Sequence, residues 1–177
     1  LARVLSTGGP VEPVTEIEGG ESQHSFLDVI PDSDWALIQV RVGPTDFEVR
    51  ALDLATKETK RLVSGTAARY ARSGHIVFLS SDNTLMAAAL DPGSAEIFGP
   101  EVALLDGVAA FSISNTGKLF YSSGAGAGGT LEFVWVTREG VITPVDPGWS
   151  FDSGGGNIGW SLSPDGTRLA VSERTAS

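Results

Sequence analysis

The sequence has no cysteine, a single methionine (Met86) and only two histidines, His24 and His75, among 177 residues. Without thiols it can build neither a disulfide framework nor a thiolate metal site. Two separate histidines are too few for the converging imidazoles and carboxylates of a transition-metal or catalytic centre. Both read as strand-end residues with local hydrogen bonds, and no cofactor is expected. No apolar run approaches the roughly 18 residues of a spanning helix, so direct membrane insertion is not expected. No signal peptide is visible. The chain starts at Leu1 and its methionine is internal, which reads as a piece of a longer protein.

Positive charge is also scarce: 12 Lys and Arg stand against 22 Asp and Glu, for a net charge of −10. Such a surface repels polyphosphates, and nucleic acid is excluded as a partner. Catalytic signatures are missing too. Gly148-Trp149-Ser150-Phe151-Asp152 and Gly159-Trp160-Ser161-Leu162-Ser163 come nearest to a nucleophile elbow, but neither completes G-x-S-x-G or leads into a helix. Gly124 to Gly129 has no lysine in the Walker position and precedes a strand, so it reads as a hairpin loop. Asp152 to Asn157 reads as a linker. Asp32, Asp82, Asp91 and Asp165 fall in turns, where aspartate satisfies local N–H groups, and none belongs to a calcium-loop pattern. No metal site is expected.

What the chain has is turn formers, with 22 glycines and 9 prolines, and a repeat. The segment Ser161 to Ser172 reads as strand, tight turn, strand, and looser copies occur three times upstream. The turns fall at Ser33, Gly74, Gly117 and Gly166. Four residues before each turn stand Val29, Tyr70, Ile113 and Leu162; six before stand Leu27, Ala68, Phe111 and Trp160; between them lie Asp28, Arg69, Ser112 and Ser161. Apolar, polar, apolar in matched register is strand alternation. Leu85 to Leu90 is helix-prone by propensity, but six residues between turns are too few for a helix, and the repeat assigns a strand.

Four-stranded units at a spacing of about 40–45 residues mark propeller blades. The fold class is therefore all-β, a propeller of antiparallel four-stranded blades within one domain, residues 1–177. Blades are expected at 22–64, 65–106 and 107–147. A half-blade with third and fourth strands occupies 1–20, and one with first and second strands occupies 157–172. Phe26, Tyr70, Phe111 and Trp160 are expected to fill the spaces between blades.

Leu162-Ser163-Pro164-Asp165-Gly166-Thr167-Arg168-Leu169-Ala170 resembles the PD40, or WD40-like, repeat of TolB-type propellers, and Ile30-Pro31-Asp32-Ser33 with Trp35-Ala36-Leu37 is a looser copy. Ala68-Arg69-Tyr70, Ser73 to Phe78, Thr84 to Ala87 and Phe133 to Gly140 are similar to the TolB-like propeller found C-terminal to bacterial serine/threonine kinase domains. The resemblance implies a non-catalytic ligand- or protein-binding module of a larger bacterial protein, extracytoplasmic or periplasmic. Because the same repeat precedes peptidase domains in prolyl-oligopeptidase relatives, a gating propeller is the alternative. A fragment with no independent function is a third reading.

If the propeller binds something, Asp28, Arg69, Ser112 and Ser161 are candidates for channel-facing groups, with His24 at a mouth; otherwise these side chains only solvate a water-filled channel. Family members usually have six blades, and this chain is too short for six. The half-blades at Leu1–Ile17 and Asn157–Ser172 are complementary, and their union, within a chain or by reciprocal exchange between two chains, would remove open sheet edges. Self-association through these terminal half-blades is the expected partner interaction.

Overall fold

The computed structural model describes residues 1–123, 130–137, 140–152 and 160–171. Every regular element among them is a β-strand. The chain divides into two compact units. The first holds Leu1–Tyr70, Gly74–Ser81 and Met86–Val102; the second holds Ala71–Ser73, Asp82–Leu85 and the chain from Ala103 onward.

The first unit opens with β1 (Ala2–Arg3) paired to β2 (Glu12–Pro13), a two-stranded antiparallel ribbon. Pro13 cannot donate to a ladder, which suits this edge position. β3 (Gln23–Val29), β4 (Trp35–Arg41), β5 (Phe47–Asp53) and β6 (Thr59–Ser64) follow as the first four-stranded sheet, paired in sequence order. A second sheet repeats that order with β7 (Thr66–Ala71), β8 (His75–Leu79), β9 (Leu85–Asp91) and β10 (Glu96–Leu105). The helix-prone run from Leu85 is indeed strand: Leu85, Ala88 and Leu90 are buried, and sheet packing overrides local propensity.

Strand β4 is buried on both faces, which explains its nearly continuous apolar run. Leu37 faces the second sheet, where Ile30, Leu37, Val49 and Val63 pack with Ala68, Ile76, Phe78, Ala88 and Leu90. Ile38 and Val40 face the other way and join Leu52 under Leu1 and Val14. Side chains of the first sheet also cap backbone groups of β7. The Ala67 N–H donates to Gln39 Oε1 at 3.0 Å, and the Tyr70 N–H to Asp28 Oδ2 at 2.8 Å. Between β6 and β7 the chain passes through Gly65, φ +151°, where an added Cβ would lie 2.5 Å from the Leu79 carbonyl oxygen. Only glycine fits that crossing.

The second unit contains β11 (Val108–Ile113), β12 (Leu119–Ser123) and β13 (Thr130–Val136), antiparallel in order. The outer edge of β13 carries two short strands: β14 (Ile142–Pro144) pairs with its C-terminal half and β15 (Ser150–Asp152) with its N-terminal half. The sequence reading gave no strand at Ser150. β16 (Trp160–Leu162) and β17 (Leu169–Val171) form a separate two-stranded sheet. The core here is aromatic: Phe120 stacks on Phe133 at 5.0 Å and meets Trp135 edge-on at 5.1 Å, with Leu162 buried beside them.

The segment that carries the repeat signature is a hydrogen-bonded turn. Ser163 Oγ donates to Asp165 Oδ1 at 2.6 Å and accepts the Arg168 N–H at 2.9 Å; the Thr167 N–H and hydroxyl both donate to Asp165 Oδ1. These bonds hold the fully exposed Asp165 carboxyl at a pKa of about 2, the Ser163 hydroxyl contributing most. Gly166 supplies the left-handed φ of +67°. Ser114 does the same upstream, accepting the Lys118 N–H at 3.0 Å. In the first sheet, Asp32 takes the positive φ of 59° instead of glycine, a conformation aspartate tolerates. Gly124 to Gly129, Arg138, Glu139 and the linker from Ser153 lie outside the described residues, as do the side chains of Phe26 and Trp160.

Candidate functional site

In the first unit a cavity of about 540 Å³ lies between the segment Pro13–Glu21 and the outer face of the first sheet. His24 forms its floor. In the β3–β4 register His24 lies opposite Val40, and Asp28 lies opposite Leu37. His24 therefore points away from the second sheet and Asp28 toward it, the face changing across an irregularity between Ser25 and Asp28.

The His24 side chain is only 4% exposed, and both ring nitrogens are engaged. Nδ1 lies 2.8 Å from Thr15 Oγ1, and Nε2 lies 2.9 Å from Glu21 Oε2. This suits a neutral ring whose Nε2–H donates to the carboxylate and whose Nδ1 accepts from the threonine hydroxyl. Arg50 on β5 donates to the other oxygen of Glu21 at 2.5 Å and to Glu48 at 2.9 Å, and Arg61 reaches Glu48 at 2.9 Å. The Leu1 ammonium donates to Thr15 Oγ1 at 2.8 Å. One polar chain thus ties the N-terminal segment to the sheet.

Charge within this polar cluster is balanced locally, Arg50 and Arg61 standing against Glu21 and Glu48. Burial pushes the Glu21 carboxyl up, but hydrogen bonds from the Glu18 N–H, His24 and Arg50 outweigh it and hold it below its ordinary 4.5. Burial likewise disfavours the Arg50 cation, and hydrogen bonds to Glu48 and Glu21 more than restore it. At the rim stand the exposed carboxylates of Glu16, Glu18 and Glu58. Lys57 donates to the Pro13 carbonyl at 3.1 Å.

Hydroxyl, imidazole and carboxylate in sequence resemble a hydrolase triad in order. Arg50 opposes that use, because it already neutralises Glu21, leaving little negative charge to stabilise an imidazolium. The cluster is built to hold a segment in place.

Of the residues selected from sequence, His24, Asp28 and Arg69 lie in the first unit, and Ser112 and Ser161 in the second. Asp28 spends its carboxylate on the Tyr70 N–H, and Arg69 donates to the Ala68 carbonyl at 3.2 Å. Ser112 sits opposite Phe120, and Ser161, exposed, opposite Ala170. The structure gathers around His24 a different set: Thr15, Glu21 and Arg50. Glu48 and Arg50, two apart on one strand and so on one face, carried a readable signal. Asp91 and Asp165 accept turn N–H groups, as their positions suggested, and among the described residues no group of His, Asp and Glu could hold a metal ion.

The sheets, in this order and hand-over, are those of a TolB-like β-propeller fold. The chain is similar to the solved structure of TolB from Acinetobacter baumannii, with a TM-score of 0.65 and 22% identity over 93% of this chain and 40% of that one. It is also similar to a candidate 6-phosphogluconolactonase from Bacteroides fragilis, with a TM-score of 0.51 and 15% identity, covering 96% of this chain and 56% of that one. The chain thus spans about half or less of the length of these structures. No family model matches the sequence, and no curated protein does.

Proposed function

We propose that the chain is a non-catalytic recognition module: part of a TolB-like propeller, with three blades at 22–64, 65–106 and 107–147 flanked by half-blades at 1–20 and 157–172. In this reading it is the protein- or ligand-binding portion of a larger extracytoplasmic bacterial protein. The observation that carries it is the cavity over His24, where the buried groups bond to one another and the rim exposes carboxylates. Pre-satisfied walls cost little to keep and leave the rim to choose the ligand. With Glu16, Glu18 and Glu58 at that rim and a net charge of −10, the favoured ligand is cationic, such as a lysine- or arginine-bearing segment of a partner protein.

The test is calorimetric titration with a lysine-rich peptide and an acidic peptide of equal length. Binding of the basic peptide alone is expected, weakening with salt and abolished by combining Glu16→Gln, Glu18→Gln and Glu58→Gln. Equal binding by that variant would overturn the assignment. So would hydrolysis of an activated ester or a δ-lactone that disappears with Thr15→Val and His24→Ala.

A further inference from the structure

Within the second unit the turn at 114–118 and the turn at 163–168 stand side by side. The Asn115 N–H donates to the Pro164 carbonyl at 3.2 Å, and Lys118 Nζ to the Gly166 carbonyl at 3.4 Å. A Cβ added at Gly166 would lie 3.0 Å from Lys118 Cδ and 3.1 Å from Ser114 Cβ, so the lysine stem runs against the neighbouring turn. The β12–β13 ladder ends at the pair Leu119 and Val136, and Lys118 and Thr137 continue the two strands at that end. Between these residues and Gly166 lies a cavity of about 490 Å³, with Trp135, Val136 and Thr167 completing its lining. That volume is within the range of small-molecule sites.

Trp135, Val136 and the methylene stem of Lys118 give the cavity apolar walls, and most of its polar groups have protons to give. The Lys118 ammonium has three N–H donors. Among the described residues it meets one carbonyl, at a distance beyond the usual range, and no carboxylate. The Trp135 ring is held edge-on to Phe120 at 5.1 Å, and its indole N–H has no hydrogen-bond partner among the described residues. Thr137 Oγ1 accepts the Val141 N–H at 3.3 Å, which leaves its own proton to donate. Thr167 alone gives its hydroxyl proton away, to Asp165 Oδ1 at 2.8 Å. That bond, with those from the Ser163 hydroxyl and the Thr167 N–H, engages the carboxylate beside Gly166 in its own turn.

One cation and a set of donors beside apolar walls match a single negative charge carried on an apolar body. A polyanion is disfavoured, since one lysine cannot balance it in a chain of net charge −10. A sugar would bring as many donors as acceptors, and the lining offers its hydroxyls few acceptors. We propose that this cavity binds a small apolar carboxylate, with the carboxylate on Lys118 and the apolar body against Trp135 and Val136. A free acid and the C-terminal residue of a peptide share that chemistry. The site is additional to the cavity over His24, which belongs to the first unit and favours a cation.

The test is calorimetric titration of the full chain with 3-phenylpropionate, with its amide, and with a Gly-Gly-Phe peptide whose C-terminus is free or amidated. The acid is expected to bind roughly tenfold or more tightly than the amide. Lys118→Gln is expected to weaken the acid by about the same factor and leave the amide unchanged, while Lys118→Arg retains most of the binding. Lys118 is exposed, so folding is retained in both variants, as circular dichroism would verify. Binding of the free-ended peptide, with or without the acid, assigns a chain terminus as the ligand; binding of the acid alone assigns a free acid. Three outcomes overturn the proposal: no binding of either carboxylate at millimolar concentration; equal affinity for each carboxylate and its amide; or binding indifferent to Lys118→Gln. The basic-peptide titration reports on the cavity over His24, so each idea can fail alone.

Discussion

Replacing Gly65 by alanine isolates the close approach on which the hand-over from first to second sheet depends. At φ +151° the new Cβ would lie 2.5 Å from the Leu79 carbonyl oxygen and 2.8 Å from Phe78 Cδ2. Neither neighbour can yield easily: one is backbone and the other is a fully buried ring. The unfavourable φ costs about 1–3 kcal/mol, and overpacking adds roughly 1–3 kcal/mol. A loss near 3 kcal/mol would lower the melting temperature by about 6–12 °C for a chain of this size. Gly74 supplies the control. Its φ is +79°, but a Cβ there would meet nothing within 4 Å, so Gly74→Ala carries conformational strain alone, about 1–2 kcal/mol, or some 2–8 °C. Differential scanning calorimetry of both variants separates the two contributions. Equal shifts would refute the claim that the chain is wedged against β8 at Gly65.

Gln39→Met keeps the shape of a buried side chain but removes the acceptor for the Ala67 N–H; it should cost about 1–3 kcal/mol in chemical denaturation, and no loss would contradict the capping role. Asp165 should titrate near pH 2 rather than 3.8. Because its folded pKa is depressed, its contribution is complete above 3.8 and is lost as pH falls through 2; a carboxyl carbon resonance with a midpoint near 3.8 would contradict the turn geometry. Glu21 is lowered likewise, so the tie it makes to His24 and Arg50 holds above its ordinary 4.5 and loosens as pH drops below that value. Glu21→Gln should speed hydrogen exchange at the Val14 amide, which bonds to the Leu1 carbonyl, at neutral pH; unchanged exchange would show the segment is held by other contacts.

Repetition made most of the architecture readable. Matched alternation before four turns located the first strands, and the turn chemistry around Ser163 and Asp165 is local, so it survives as a sequence signature. The site was harder to see because its parts are local only in pairs. Glu21 and His24 are three apart, but Thr15 joins them through an irregular segment and Arg50 through a sheet register, and neither link leaves a periodic trace. The selection of Asp28 followed its polarity between apolar neighbours; its carboxylate is in fact taken by a backbone amide of the next sheet. The strand at Ser150 escaped notice because three residues after a glycine-containing turn carry no alternation to count.

The packing of the first sheet on the second can be followed in solution because the chain has no cysteine of its own. Ala68 is 4% exposed in the core that the two sheets share, so an Ala68→Cys variant places a thiol reporter at that contact. The account predicts that the thiol is protected from a labelling reagent in the folded protein and reacts only on unfolding. Labelling as fast in native buffer as in denaturant would contradict it.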